Sequence, residues 1–293
     1  MSAIPAASPA GPCLDHAGAI VRDLAAGAKR WEKLGFLLSP ESRQSGRMPD
    51  RDDESPWATA NRCATFQHGY LELIGVVDAA AYNPWEKFLA RFEGLHLLAL
   101  RVASADAAYA ALAARTNTLN APVQRARRLD VNGVEGTMRF RNIFSRDEAY
   151  PEGRYIVLEH QTPEFLWQPR YLAHPNGARA LEAVLVCADD VQAQRARLET
   201  LLGSPPLREP DGALRFSPAG GGSIELRSTE AFEARYGWRP RALPCFAGAE
   251  VRFASRAHAA KLMGDNGVPV DKRGEEWFVA SEHTNGFILR LTQ

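Results

Sequence analysis

Apolar residues fall in short runs along this chain, and each run is followed by a stretch of helical period. Residues 14–21, LDHAGAIV, form the first run, read as a strand buried on both faces. Asp23 stands where an N-cap belongs, Leu24, Ala28, Trp31 and Leu34 recur at helical spacing, and Gly35 stops the helix. The same order returns at 95–115 with Ser104 as cap, and at 181–203 with Asp189 or Asp190 as cap and Gly203 as stop. It returns once more at 247–267, with Ser255 as cap and Gly264 or Gly267 as stop. Behind each helix come β-rich runs: 60–77 broken at His68-Gly69, then 137–144 with 154–162, then 213–228 around a Gly-rich turn, and 276–293 turning at Asn285-Gly286. The pattern is an α+β chain of four βαβββ modules arranged as two pairs.

The expected layout has a loose, Pro-rich tail at 1–12, a first pair over 13–165, a connector over 166–178 and a degenerate second pair over 179–293. The polar stretch 42–56, SRQSGRMPDRDDESP, is expected to be a mobile loop inside the first module.

Composition changes the picture only by exclusion. The chain has 293 residues, with 35 basic and 35 acidic side chains. Without basic excess there is little to draw it to nucleic acid. No apolar stretch is long enough to span a bilayer, and the start lacks the pattern of a signal peptide. The four cysteines, Cys13, Cys63, Cys187 and Cys245, form no CxxC pair, so neither a disulfide framework nor a zinc knuckle is expected. These readings lead to the expectation of a cytoplasmic protein in a reducing compartment, with a small molecule as its partner.

Candidate chemistry comes from ionisable residues inside apolar strands, where burial is costly unless they are paired or bind a metal. The first strands of modules one and two carry His16 and His96. Their last strands carry Glu72, in YLELIG, and Glu159, in YIVLEH. In the second half the corresponding last-strand residues are Glu225 and Arg290, and no histidine stands at Glu182, Ala183 or Ala247. A role common to all four modules would not show that asymmetry, so a site confined to the first half is expected.

The segments LDHAGAIVRDL, TANRCATF, GYLELIGVV and VLEHQTP resemble the vicinal oxygen chelate superfamily and its glyoxalase-like domain proteins. The resemblance implies that each pair closes into a half-open barrel with helices outside. It also implies a divalent metal inside the first pair, held by His16, Glu72, His96 and Glu159. An imidazole and carboxylate set would suit Fe, Zn, Mn, Ni or Co. By strand parity His16 lies with Leu14, Gly18 and Ile20, His96 with Leu98 and Leu100, and Glu159 with Tyr155, Val157 and Gln161. Parity turns His160 to the opposite face, which removes it from the ligand set. Glu72 is either a fourth ligand or a neighbour in the cavity.

Tyr155 and Gln161, beside Glu159, are expected to meet substrate. Arg139 and Arg141 read either as an anion clamp or as a solvated strand face. Trp167, Gln168, His174 and Asn176 either line the pocket mouth or pin the connector. The family implies a metal-dependent lyase or isomerase with Glu72 or Glu159 as base. The alternatives are an Fe(II) ring-cleaving dioxygenase or a non-catalytic binding protein, with a homodimer left open.

Overall fold

Each apolar run of the sequence becomes the first strand of a βαβββ module. The computed structural model describes residues 11–48, 53–131 and 134–293. Most of the expected tail at 1–12, and residues 49–52 of the expected loop, lie outside them. Module one is β1 (Cys13–Val21), α1 (Leu24–Lys33), β2 (Ser42–Arg47), β3 (Glu54–Thr65) and β4 (Tyr70–Val76). Helix α2 (Glu86–Leu89) leads to module two: β5 (Gly94–Arg101), α3 (Ala105–Ala113), β6 (Val123–Val131), β7 (Val134–Phe144) and β8 (Arg154–His160). Module three is β9 (Ala178–Ala188), α4 (Val191–Leu202), β10 (Leu207–Arg208), β11 (Leu214–Phe216) and β12 (Ser223–Ser228). Helix α5 (Thr229–Tyr236) leads to module four: β13 (Cys245–Phe253), α6 (Arg256–Asp265), β14 (Asp271–Arg273), β15 (Glu276–Val279) and β16 (Ile288–Thr292).

The caps sit where the sequence puts them. Asp23, Ser104, Asp190 and Ser255 accept hydrogen bonds from Ala26, Ala107, Ala193 and His258 main-chain N–H groups. Gly203 closes α4 in the left-handed region, at φ 72°.

In every module the first strand pairs in parallel with the fourth: β1 with β4, β5 with β8, β9 with β12, β13 with β16. Modules join within a pair through antiparallel first strands, β1 with β5 and β9 with β13. The bridge of Phe246 to Leu95 carries the sheet from pair to pair, an isolated bridge of His68 to Ala180 adds a second link, and the sixteen strands form one open mixed sheet. The expected loop 42–56 is instead largely strand: Ser42–Arg47 pairs with β3, which begins at Glu54. As an edge strand with alternate residues in water, β2 needs no apolar period.

The convex faces of both pairs and their helices share a single large core. Each concave face holds its own smaller cluster. Ile20, Ile74, Leu97 and Ile156 line that of the first pair, where Trp85, Phe88 and Leu89 of the α2 segment fill one end. Phe232 and Tyr236 of α5 do the same for the second pair. Among the described residues, no helix is long and apolar enough to cross a membrane.

Candidate active site in the first module pair

Strand β1 runs through the middle of the first pair, and its irregularity builds the site. Leu14 faces Leu100 and His16 faces Ala99, so two residues of β1 are spent against one of β5. Asp15 is the extra residue of this bulge, and bulges redirect side chains that strict alternation would send apart. The Asp15 carboxylate, 1% exposed, therefore lies beside the His16 imidazole, 2.8 Å from Nδ1. On its other side, His160 Nε2 stands 3.1 and 3.2 Å from its two oxygens. Burial alone would raise the Asp15 pKa. The charge of His160 and the hydrogen bonds from both imidazoles outweigh that and hold it well below the usual carboxylate range.

A carboxylate only accepts, so His16 carries its proton on Nδ1 and presents the Nε2 lone pair to the concave face. There Glu72, next strand over on β4, has Oε2 3.7 Å from that nitrogen. Asn61 of β3 donates to Glu72 Oε1, and Arg127 of β6 donates to Asn61 Oδ1 at 2.8 Å. Tyr70 stacks on His16, ring centroids 4.3 Å apart. The connector closes this end. Trp167 is buried, donates through its indole N–H to the Phe66 carbonyl at 3.1 Å and sets its ring against His160 at 5.0 Å.

Of the residues singled out in the sequence, His16, Glu72 and Trp167 come together. The others do not join them. The reason lies in register: Gly18 pairs with Glu72 in module one, and Ala99 pairs with Ile156 in module two. The counterparts of His16 and Glu72 are therefore Leu97 and Ile156, both apolar. His96 is the residue left over where Gly18 faces Leu97 and Ala19 faces Leu95, and its ring lies at the α2 end between Phe88 and Phe92, with Nε2 donating to the Phe92 carbonyl at 2.9 Å. Glu159 is three beyond Ile156 and also points away, accepting the Ala105 N–H at the start of α3 at 3.0 Å. Parity grouped Glu159 correctly with Tyr155 and Val157, but that face is the convex one; at His96 the alternation itself is broken, with Leu95 and Leu97 on opposite faces. His160, which parity had removed, is the one that enters the site.

The remaining candidates lie outside it. Arg141 forms a two-pronged ion pair with Asp106 of α3, at 2.7 and 2.8 Å, and Arg139 is exposed. Tyr155 is buried between Tyr150 and Phe246 with its hydroxyl on Glu152 at 2.9 Å. Gln161 is exposed and accepts from Gln124. His174 and Asn176 pin the connector, His174 between the Leu37 N–H and the Thr65 carbonyl and Asn176 on the Leu34 carbonyl. Gln168 donates within the connector to the Phe165 carbonyl.

The residues present do not fit the three- or four-ligand metal centre that the resemblance implied. Two donors, His16 and Glu72, face each other, while His160 is committed to Asp15. Among the described residues, no group of three or more His, Cys, Asp or Glu is arranged to hold an ion. The second pair differs again. Glu225, at the place of Glu72, is buried in an ionic cluster with Arg215, Arg227 and Arg290, and Arg290 also donates to Glu250. Glu209 pairs with Arg215 and Asp211 with Arg227, so each charge of this cluster has an opposite partner.

Residues 14–202 match the model of a family described as "Glyoxalase-like domain". In structure the chain is similar to a hypothetical protein from Staphylococcus aureus, at TM-score 0.63 and 11% identity over 96% of this chain and 98% of that one. It is also similar to a variant of 4-hydroxymandelate synthase from Streptomyces coelicolor, at TM-score 0.57 and 12% identity over 97% and 93%. A fusion protein named for a xylose isomerase-like TIM barrel and 4-hydroxyphenylpyruvate dioxygenase matches at TM-score 0.55 and 12% identity, over 97% of this chain and 49% of that one. At such identities these likenesses bear on fold alone. No curated protein matches the chain by sequence.

Proposed function

The chain belongs to the glyoxalase-like domain family, within the vicinal oxygen chelate superfamily, and on that premise we propose that it is an enzyme moving protons on a small oxygen-bearing substrate. Lyase or isomerase chemistry is the class this describes. The observation that carries the proposal is the Asp15–His16 dyad, with Nε2 facing Glu72 on a concave face where all three side chains are buried. Asp15 fixes the tautomer and orientation of His16, which then accepts a proton at Nε2. Glu72, held by Asn61, is the second proton carrier, and Arg127 at the rim meets a substrate oxygen. Apolar walls raise the strength of every charge interaction within.

Superfamily members usually use a divalent ion. Here only two donors face each other, so the proposed steps run through protein groups alone. The dioxygenase reading has one observation in its favour: two histidines and one glutamate, His16, His160 and Glu72, belong to the same cleft. It requires His160 to leave Asp15.

The test is solvent deuterium incorporation into a panel of small hydroxyketones and 2-oxo acids, followed by NMR, with elemental analysis of the same preparations. We expect turnover of at least one compound, lowered by about 10²–10⁴-fold in His16→Ala, Glu72→Gln and Asp15→Asn. Undiminished turnover in His16→Ala would sink the proposal. Near-stoichiometric iron, lost in both His16→Ala and His160→Ala, would replace it with the dioxygenase reading.

A further inference from the structure

A cavity lies at the seam between the two module pairs, next to the Asp15 end of the candidate site. Its volume is about 410 Å³, and Arg101, Arg215 and Arg252 line it against a single carboxylate, Glu182. That size is within the range of pockets that hold small organic ligands. One wall is the Gly220–Gly222 turn, which read in the sequence as a hairpin turn and is one. It is pressed onto β1: Leu14 N–H donates to the Gly221 carbonyl at 2.9 Å, and Gly220 N–H donates to Pro12 at 2.8 Å. A Cβ on Gly222, at φ 74°, would stand 2.3 Å from the Leu14 side chain, so this wall exists only with glycine there.

The three arginines are not equally satisfied. Arg215 is fully engaged, donating to Glu209, Ser223 and Glu225 at 2.7, 2.8 and 3.0 Å. Arg252 donates to Glu182 at 2.6 Å. Arg101 differs: its Nε is buried without an acceptor, Asp15 Oδ1 stands 3.8 Å away and already serves His160, and the guanidinium lies over the Trp167 ring at 5.3 Å. A mostly buried guanidinium whose Nε has no acceptor is short of hydrogen-bond partners, and with Arg252 on the same lining the cavity calls for an oxyanion.

We propose that the seam cavity is a binding site for a small molecule bearing a carboxylate or phosphate group, received by Arg101 and Arg252 over the Gly220–Gly222 turn. The two head groups share the planar or tripodal oxygen arrangement that a guanidinium grips, while Arg215, held by Glu209, Ser223 and Glu225, is a fixed part of the wall. The proposal stands on the seam alone and does not depend on proton transfer in the first cleft.

The experiment is calorimetric titration of the full chain with inorganic phosphate and, separately, malonate at low salt. The parent and the variants Arg101→Gln, Arg252→Gln and Arg139→Gln are compared. We expect heat with at least one probe, and whichever binds names the head group. The Kd should rise about tenfold or more in Arg101→Gln and Arg252→Gln and stay level in Arg139→Gln. Arg252 is partly exposed, so its variant decides the matter if Arg101→Gln fails to fold. Absence of heat with both probes overturns the proposal. So does an unchanged Kd in Arg252→Gln, because only Arg101 reaches towards the first cleft, and so does an equal loss in Arg139→Gln.

Discussion

Asp15 keeps its charge with almost no water because two imidazoles donate to it, and His96 loses its charge because nothing does. His96 is fully buried, its Nε2–H is spent on a carbonyl and its Nδ1 has no partner. Burial, with help from nearby Arg91 and against the Phe92 hydrogen bond, lowers its pKa to about 4. Above the ordinary histidine pKa the ring is neutral in both folded and unfolded chains. As pH falls, the unfolded chain takes up the proton first, so stability drops between about pH 6.5 and 4. At pH 5 the loss from this one ring is about 2 kcal/mol. His174 is shifted in the same direction by burial and adds to the slope. In urea unfolding at about pH 7.5 and 5, His96→Gln should therefore show a pH dependence smaller by about 2 kcal/mol than the parent. An unchanged dependence would mean that His96 is not the buried neutral ring described. At this scale the sequence revealed His16 and Glu72 because each is a polar residue in an apolar strand. Asp15 was invisible as a site residue because alternation points it away, and only the bulge brings it back. His96 and Glu159 stood out for the same reason as His16, yet their polarity serves a carbonyl and a helix end.

Elements with a buried face were readable, and elements without one were not. All four first strands and their helices follow from apolar runs, caps and stops. The second strands, β2, β6, β10 and β14, carry SRQSGR, VQRARRLDV, LR and DKR, and each sits at a free edge of the sheet. Polar edges guard against pairing with other chains, and they also erase the period that identifies a strand. Helix α3 shows how an element claims a residue that looks catalytic. Its N-terminus offers free N–H groups, Ser104 takes one and Glu159 takes another, and the acid also suits the positive end of the helix dipole. Glu159→Ala should accordingly lower stability by about 1 kcal/mol and leave turnover and metal content as in the parent. Thermal unfolding beside the deuterium assay measures both. A loss of turnover as large as that of His16→Ala would restore Glu159 to the active site.

The module pairs are docked crosswise, which bears on whether they are separate folding units. Helix α1 of module one lays Trp31 against Phe287 of module four, ring centroids 6.2 Å apart, with its indole N–H on the Thr284 carbonyl at 3.0 Å. Tyr155 of module two meets Phe246 of module four edge-on at 5.4 Å, and Gln194 of module three donates to the buried Glu152 beside β8 at 2.6 Å. The large core runs through residues of all four modules, and the sheet crosses the same boundary. Strand β9 begins at Ala178, inside the expected connector, and neither 13–165 nor 179–293 encloses a complete core. Cutting between them would expose Trp31, Tyr155 and the convex side of β5 on one piece and Phe246 and Phe287 on the other. Large apolar faces of that kind are not left in water by a stable domain. Calorimetry of the whole chain should therefore show one transition with equal van't Hoff and calorimetric enthalpies. Trp31→Ala, made on one pair, should lower that single transition by about 3–5 kcal/mol rather than split it. Residues 13–165 made alone should show no cooperative melt. Two resolved transitions in the parent, or a sharp melt of 13–165 with native near-ultraviolet dichroism, would instead make each pair a domain in its own right and the seam an interface between finished surfaces.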